Sequence, residues 1–131
     1  MSHAYSRIWV HAIWSTKNRL PFIAPAIEQR VYGFITKELA DLKCSSRIIN
    51  GMPDHLHAFF LLHPTQALSG VIKQIKGASS EYVNRDELTS KKFSWQIGYS
   101  AFSVSESAAN RVYRYILNQK RHHQKQSFES E

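Results

Sequence analysis

The sequence is short of cysteine, of acidic side chains and of long apolar runs. Its single cysteine, Cys44, excludes an internal disulfide and fits a reducing, cytoplasmic setting. No apolar run reaches the ~18 residues that a membrane-spanning helix needs, and no leader-like segment opens the chain, so we expect no membrane partner. We expect the 131 residues to form a single domain, 1–131, with a partly flexible tail over 122–131.

The shortage of acidic residues leaves the chain strongly basic. Ten acidic side chains stand against 17 basic ones, and the formal net charge is +7. This charge predicts a polyanionic partner, of which nucleic acid is the first candidate. The basic residues are interleaved with aromatic residues along the chain, a mixture that suits phosphate contact combined with base stacking.

The pattern of apolar residues predicts the order strand, helix, strand, strand, helix, strand and a further helix. This order is typical of the ferredoxin-like split βαβ fold of the α+β class. The sheet would be antiparallel, with the first two helices on one face and an extra C-terminal helix. The predicted strands cover 5–14, 44–50, 56–62 and 93–104, the last bent at Gly98, and the predicted helices cover 25–42, 66–84 and 106–121.

Two imidazoles lie two residues apart at the head of the third predicted strand. Because side chains two apart in a strand point the same way, His55 and His57 would share one face. They are either two ordinary half-buried histidines or a pair that binds one metal ion. A catalytic metal site usually has a third protein ligand and an open position, so a further ligand must come from elsewhere in the chain.

The last predicted helix supplies such a group on its polar side. At ~100° per residue, Tyr113 falls on an apolar stripe and is predicted to be a core residue. Tyr115 falls on a polar stripe with Arg111, Gln119 and His122. Without the histidine pair, Tyr115 would be interpreted as a packing residue. With the pair, Gln119 offers an amide oxygen as third ligand and Tyr115 a phenolic oxygen close to the same ion.

These groups suit covalent cleavage of a phosphodiester. Tyrosine is a slow nucleophile at its usual pKa near 10. A cation and Arg111 would favour its phenolate, and a metal ion would polarise the target phosphate. A hydrolase would instead need a base for water, and Asp54 is the nearest candidate. Imidazole ligands favour Mn²⁺ over Mg²⁺, although cellular abundance favours Mg²⁺.

The sequence resembles the small single-tyrosine HUH transposases, which include bacterial insertion-sequence and REP-associated tyrosine transposases. The resemblance runs over nearly the whole chain, in order and at family-like spacing. The most specific part is the histidine pair together with a Tyr-x-x-x-Gln motif. The matching segments are WSTKNR (14–19), GMPDHLH (51–57), IKGASS (75–80), WQIGY (95–99), FSVS (102–105), YILNQ (115–119) and HH (122–123).

The resemblance implies a DNA transposase. It implies a dimer whose sheets join across the subunits, acting on single-stranded DNA with hairpins near element ends. It also implies a 5′-phosphotyrosine intermediate with a free 3′-hydroxyl. By position, the divalent metal (Mg²⁺ or Mn²⁺) would bind His55, His57 and Gln119, and Tyr115 would be the nucleophile. In some relatives the tyrosine helix reaches the partner subunit's histidine pair.

Two other functions fit the same sequence. One is a non-catalytic single-stranded nucleic-acid-binding module derived from a transposase, which would not need Tyr115. The other is a metal-dependent phosphodiesterase that uses water. Trp95 and Tyr99 are candidates for base stacking, although burial is the better interpretation of Trp95. The residues that we expect to contact DNA are Lys17, Arg19, Lys73, Lys76 and Arg111.

Overall fold

The computed structural model describes residues 5–121, and its elements follow the predicted order. The strands are β1 (Ile8–Ser15), β2 (Ser46–Met52), β3 (His55–Leu62) and β4 (Ser100–Val104). The α-helices are α1 (Glu28–Asp41), α2 (Leu68–Arg85) and α3 (Ala109–Leu117). The predicted flexible tail over 122–131 lies outside the described residues, and the single-domain assignment over 1–131 stays a prediction.

The strands form one antiparallel sheet in the order β2-β3-β1-β4. This α+β arrangement confirms the fold class predicted from the sequence. The β2–β3 hairpin turns at Pro53 and Asp54, so β2 runs two residues beyond its predicted end at Asn50. Gly51 lies where β2 passes close to β3, and an added Cβ would collide with the backbone of His55 and Leu56.

The two faces of the sheet are covered differently. One face packs against α1 and α2 and forms a large apolar core, here called the main core, which includes Leu56, Ala58 and Phe60 of β3. The opposite face packs against α3 through a small group, here called the α3 cluster. Its buried members are Trp9, Phe59, Ala109 and Ile116. Since residues alternate between faces along a strand, His55 and His57 lie on the α3 face.

The segment before β4 differs from the prediction. The predicted strand over 93–104 is too long, because regular pairing with β1 begins only at Ser100. Before it, Trp95 makes a single bridge with Thr16, and Gly98 has a φ of 92°, a conformation that favours glycine. Phe93 and Trp95 are buried in the main core. The aromatic pattern that indicated a strand therefore reflects packing of an irregular segment.

The helices also begin later than predicted. Helix α1 begins at Glu28 rather than Pro25, and α2 begins at Leu68. A 3₁₀ turn over Glu106–Ala108 precedes α3, and Ser105 stands at its N-terminal boundary without a side-chain capping bond. Among residues 5–121, the helices are all too short or too polar to cross a bilayer.

Candidate active site

The histidine pair lies in the middle of the sheet and faces α3. His57 is opposite Ile13 of β1 and Asn50 of β2, so strands flank it on both sides. The side chains of His55 and His57 are buried, and their ring centroids are 5.3 Å apart. Strand periodicity thus brings the two imidazoles together as the sequence predicts.

The ring of His55 is oriented by Asp54. Nδ1 of His55 lies 2.8 Å from Oδ1 of Asp54, whose Oδ2 accepts a bond of 3.2 Å from Nε of Arg19. Burial alone would raise the pKa of Asp54, but the bond from His55 and the charge of Arg19 outweigh it and hold that pKa below its ordinary value. With Nδ1–H donating to a carboxylate, Nε2 carries the lone pair that a metal would take. Asp54 is therefore engaged as a partner of His55, which disfavours a role as base for water.

The ring of His57 is oriented by a third histidine. Nδ1 of His57 lies 2.8 Å from Nε2 of His11 on β1. Burial lowers the pKa of His11 and favours its neutral form, which accepts a hydrogen bond at one nitrogen. When His57 donates from Nδ1, its Nε2 carries the lone pair that a metal ion would take. No role for His11 follows from the sequence, since only the strand register brings it beside His57.

Tyr115 projects from α3 and Gln119 from the helical residues 119–121 that follow it, and both side chains face the same space. Tyr115 is 46% exposed, and the centroid of its ring lies 6.0 Å from that of His57 and 6.4 Å from that of His11. Gln119 is fully buried, and its Nε2 lies 3.5 Å from the carbonyl oxygen of Tyr115. Because the amide nitrogen faces the backbone, the amide oxygen is the atom suited to a metal.

These side chains line one cavity of about 490 Å³, here called the active cavity. It brings together His55, His57, Tyr115, Gln119 and Arg19. Two imidazoles and an amide oxygen are a donor set that fits Mn²⁺ or another divalent ion, with positions left for phosphate oxygens. Among residues 5–121 no group of three or more His, Cys, Asp and Glu could hold a metal. A third protein ligand here must therefore be of another type, such as the amide of Gln119.

Polar bonds attach the end of α3 to the strand beside His57. The Nδ2 of Asn50 donates to the carbonyls of Ile116 and Leu117 at 2.9 and 3.3 Å, which satisfies carbonyls at the end of the helix. Nζ of Lys120 lies 3.1 Å from Oδ1 of Asn50 and 3.1 Å from a carboxylate oxygen of Glu28. These bonds hold the segment that presents Tyr115 against β2. Their residues were not predicted, because their contacts depend on the tertiary fold.

The remaining predicted DNA-binding residues lie outside the active cavity. Lys17 is exposed in a 3₁₀ turn after β1, and Arg111 is exposed on α3. Lys73 and Lys76 line a second groove beside α2. Nζ of Lys76 donates to the carbonyls of Gln96 and Gly98 at 2.8 Å each, and burial lowers its pKa. The ammonium of Lys76 therefore supports the backbone of that segment.

Of the other aromatic candidates, only Tyr99 is accessible. Trp95 is buried, as the sequence favours, and its Nε1 donates to Oγ of Ser79 at 2.9 Å. Tyr99 is 42% exposed and lines the active cavity. Tyr113 is partly buried against the α3 cluster, which confirms its predicted packing role.

Comparison with known proteins connects this chain to transposases. Over 122 aligned residues the chain is 29% identical to the ISDra2 transposase TnpA of Deinococcus radiodurans, with 83% of this chain and 81% of that protein covered. A crystal structure of a Deinococcus radiodurans R1 protein assigned as a transposase superposes with a TM-score of 0.67 at 20% identity, covering 91% of this chain and 96% of that one.

A second solved structure is a REP-associated tyrosine transposase bound to a REP hairpin. It superposes with a TM-score of 0.67 at 17% identity and covers 94% of this chain and 74% of that one. At such low identities, the likeness of this chain to the two solved structures shows only that the fold is shared. The sequence model of the family described as "Transposase IS200 like" matches residues 4–119, which is most of the chain. The chain belongs to the IS200-like transposase family.

Proposed function

We propose that this transposase is a metal-dependent endonuclease and strand transferase for single-stranded DNA, with Tyr115 as its nucleophile. The observation that carries the proposal is the active cavity, where Tyr115, Gln119 and the histidine pair face one space. A phenol beside a donor set for a divalent ion is the arrangement that phosphodiester transfer needs.

The bond changes follow from the chemistry of the phenol. Oη of Tyr115 attacks phosphorus, the P–O3′ bond breaks, and the 3′ oxygen leaves and takes up a proton. The 5′ end stays attached as a phosphotyrosine, which keeps the bond energy, so that attack by another 3′-hydroxyl restores a DNA strand and the free phenol. Since the steps are the reverse of one another, no water is consumed.

The chain's own residues hold and orient the reacting groups. His55, His57 and Gln119 would hold the divalent ion, which supplies Lewis-acid polarisation of a phosphate oxygen when bound. Asp54 and His11 fix the imidazole rings through bonds of 2.8 Å to each. Arg19 lines the cavity and adds positive charge where negative charge develops on the phosphate.

The partner in this proposal is single-stranded DNA that contains a hairpin. The net charge of +7 and the fold shared with a hairpin-bound transposase support this choice. We also propose a homodimer. Strand β4 is at one edge of the sheet and exposes Phe102, which is 57% accessible, so a second sheet could extend it there.

The test is capture of the covalent intermediate. The protein is incubated with labelled single-stranded hairpin DNA and Mn²⁺ or Mg²⁺, then denatured and run on a gel. We expect a DNA-linked protein band that is lost in Tyr115→Phe. Tyr113→Phe is the matched control, because Tyr113 packs on the α3 cluster and should keep the band.

The other outcomes identify the competing functions. DNA binding without any covalent band in the wild-type protein would support the non-catalytic module. Clean cleavage that survives in Tyr115→Phe would support the phosphodiesterase and would overturn the proposal.

A further inference from the structure

A second groove lies directly beside the active cavity. It has a volume of about 460 Å³ and is lined mainly by apolar surface. Its floor and rim come from α2 and the segment before β4, and it is called here the α2 groove. Its principal residues are Ile72, Lys73, Lys76, Gly77 and Trp95. Residues 97–99 line both this groove and the active cavity, so one short segment separates the two spaces.

This separating segment, here called the ridge, comprises residues 96–99. Its most prominent side chain is Ile97, which is 95% exposed although it is large and apolar. The ammonium of Lys76 holds the ridge in place, because it donates hydrogen bonds to the carbonyls of Gln96 and Gly98. An apolar side chain on a fixed backbone, between two spaces, suits insertion between successive bases of a DNA strand.

Gly77 contributes to the open space of the α2 groove. It lies in the interior of α2, where glycine is less favourable than alanine. Beyond its chain neighbours and the adjacent helix backbone, a Cβ added at Gly77 would meet no atom within 4 Å, as is also true of Gly33 and Gly70. Since Gly77 lines the α2 groove, a Cβ would occupy space in the groove itself. The open space over Gly77 is therefore part of the groove, where a ligand can approach the backbone of α2 closely.

We propose that the α2 groove is a subsite for one nucleobase of the DNA strand, next to the phosphate that enters the active cavity. The inference rests on the proposed function. The base lies over Gly77 between apolar groups, Tyr99 contributes an aromatic surface, and Ile97 separates this base from its neighbour. Lys73 at the rim contacts the phosphate of the same nucleotide. An apolar groove with a cationic rim, next to the cavity that would take the phosphodiester, matches a nucleotide better than it matches a peptide or a lipid chain.

The experiment measures whether binding depends on the base. Two labelled oligomers of equal length are used, one of mixed-sequence single-stranded DNA and one that is abasic throughout. Binding is measured without divalent metal in the Tyr115→Phe protein, so that cleavage plays no part. We expect this protein to prefer the DNA oligomer. Adding Gly77→Ala should weaken binding of that oligomer about fivefold or more and leave binding of the abasic oligomer unchanged.

Two further variants separate the alternatives. Gly70→Ala lies in the same helix, also with no atom near an added Cβ but outside the α2 groove, and should bind both oligomers as before. Lys73→Ala should weaken binding of both oligomers by a similar factor, since it removes a phosphate contact. Gly77→Ala should also raise the melting temperature, because alanine favours helix, so lost binding would not reflect unfolding.

The inference is overturned if Gly77→Ala leaves the preference for the DNA oligomer over the abasic oligomer unchanged. It is also overturned if the Tyr115→Phe protein shows no such preference. Failure of the proposed function would look different. In that case, no covalent band would form in the metal-dependent assay, whatever the two oligomers show.

Discussion

The two faces of the sheet differ in how they are packed and in the side chains that they carry. The face under α1 and α2 is an extensive apolar core, with members from all of the sheet's three longer strands. The α3 face has only a small apolar cluster and is completed by polar bonds, three histidines and a cavity. Burial of apolar area is the dominant source of stability, so the main core supplies most of it. The α3 face contributes less stability and carries the groups of the proposed chemistry.

Strand β3 shows this division residue by residue. Its even-numbered side chains, such as Phe60, enter the main core, whereas His55, His57 and Phe59 face α3. A single strand therefore serves both faces, because its side chains alternate with a period of two. Substitutions on neighbouring residues can test each face separately.

The largest effect on stability is expected at Phe60. Phe60→Ala removes a fully buried ring from the main core and should cost about 3–5 kcal/mol in the free energy of unfolding, measured by urea denaturation. Phe59→Ala removes an equally buried ring from the α3 cluster. Its cost should be smaller, because a helix held by few apolar contacts can move to fill the space. A larger loss in Phe59→Ala would contradict the division of the two faces.

The next prediction concerns a loss of activity that leaves the free energy of unfolding nearly unchanged. His11→Phe keeps an aromatic ring beside His57 but removes the nitrogen that bonds to it. Loss of such an outer partner typically weakens metal affinity about 10–100-fold. We expect covalent-adduct formation to need correspondingly more Mn²⁺, with unfolding free energy little changed. His63→Phe, beyond the end of β3, is the control and should leave the Mn²⁺ requirement unaltered.

A pair of asparagines offers a closer comparison. Asn50 donates to two carbonyls of α3, and Asn84 makes two bonds to the backbone of Phe93 on the main-core side. Either alanine substitution should cost about 1–2 kcal/mol. Only Asn50→Ala should raise the hydrogen-exchange rates of α3 and lower adduct formation. Equal loss of activity in Asn84→Ala would show that general destabilisation is responsible.

The smallest predicted effect is a pH dependence of the local stability at the start of the α3 region. Hydrogen bonds from Arg7 and then from Trp9 lower the pKa of Glu106 below its usual value of 4.5. Since the folded pKa is below the unfolded one, this contribution to stability is present above about pH 4.5 and is lost as pH falls through the folded value. We expect exchange near residue 106 to increase in acid, and Glu106→Gln to remove that pH dependence. An unchanged pH profile in Glu106→Gln would refute the assignment.

Local periodicity explains which features could be predicted from the sequence. A period of two puts His55 and His57 on one face, and a period of 3.6 separates Tyr113 from Tyr115. The element order then suffices for the fold class. Contacts between segments that are distant in the sequence cannot be predicted from these periods. The contact of His11 with His57 depends on strand register, and the two carbonyl bonds of Lys76 depend on the path of 93–99, which was predicted as a strand.

Within a single chain, Tyr115 and the histidine pair already line the same active cavity. If catalysis uses this arrangement, defects in different subunits cannot compensate for one another. A protein lacking Tyr115, mixed with one lacking His57, would contain no intact set of groups in either polypeptide. Genetic complementation between two such alleles should then fail, even where their products assemble together.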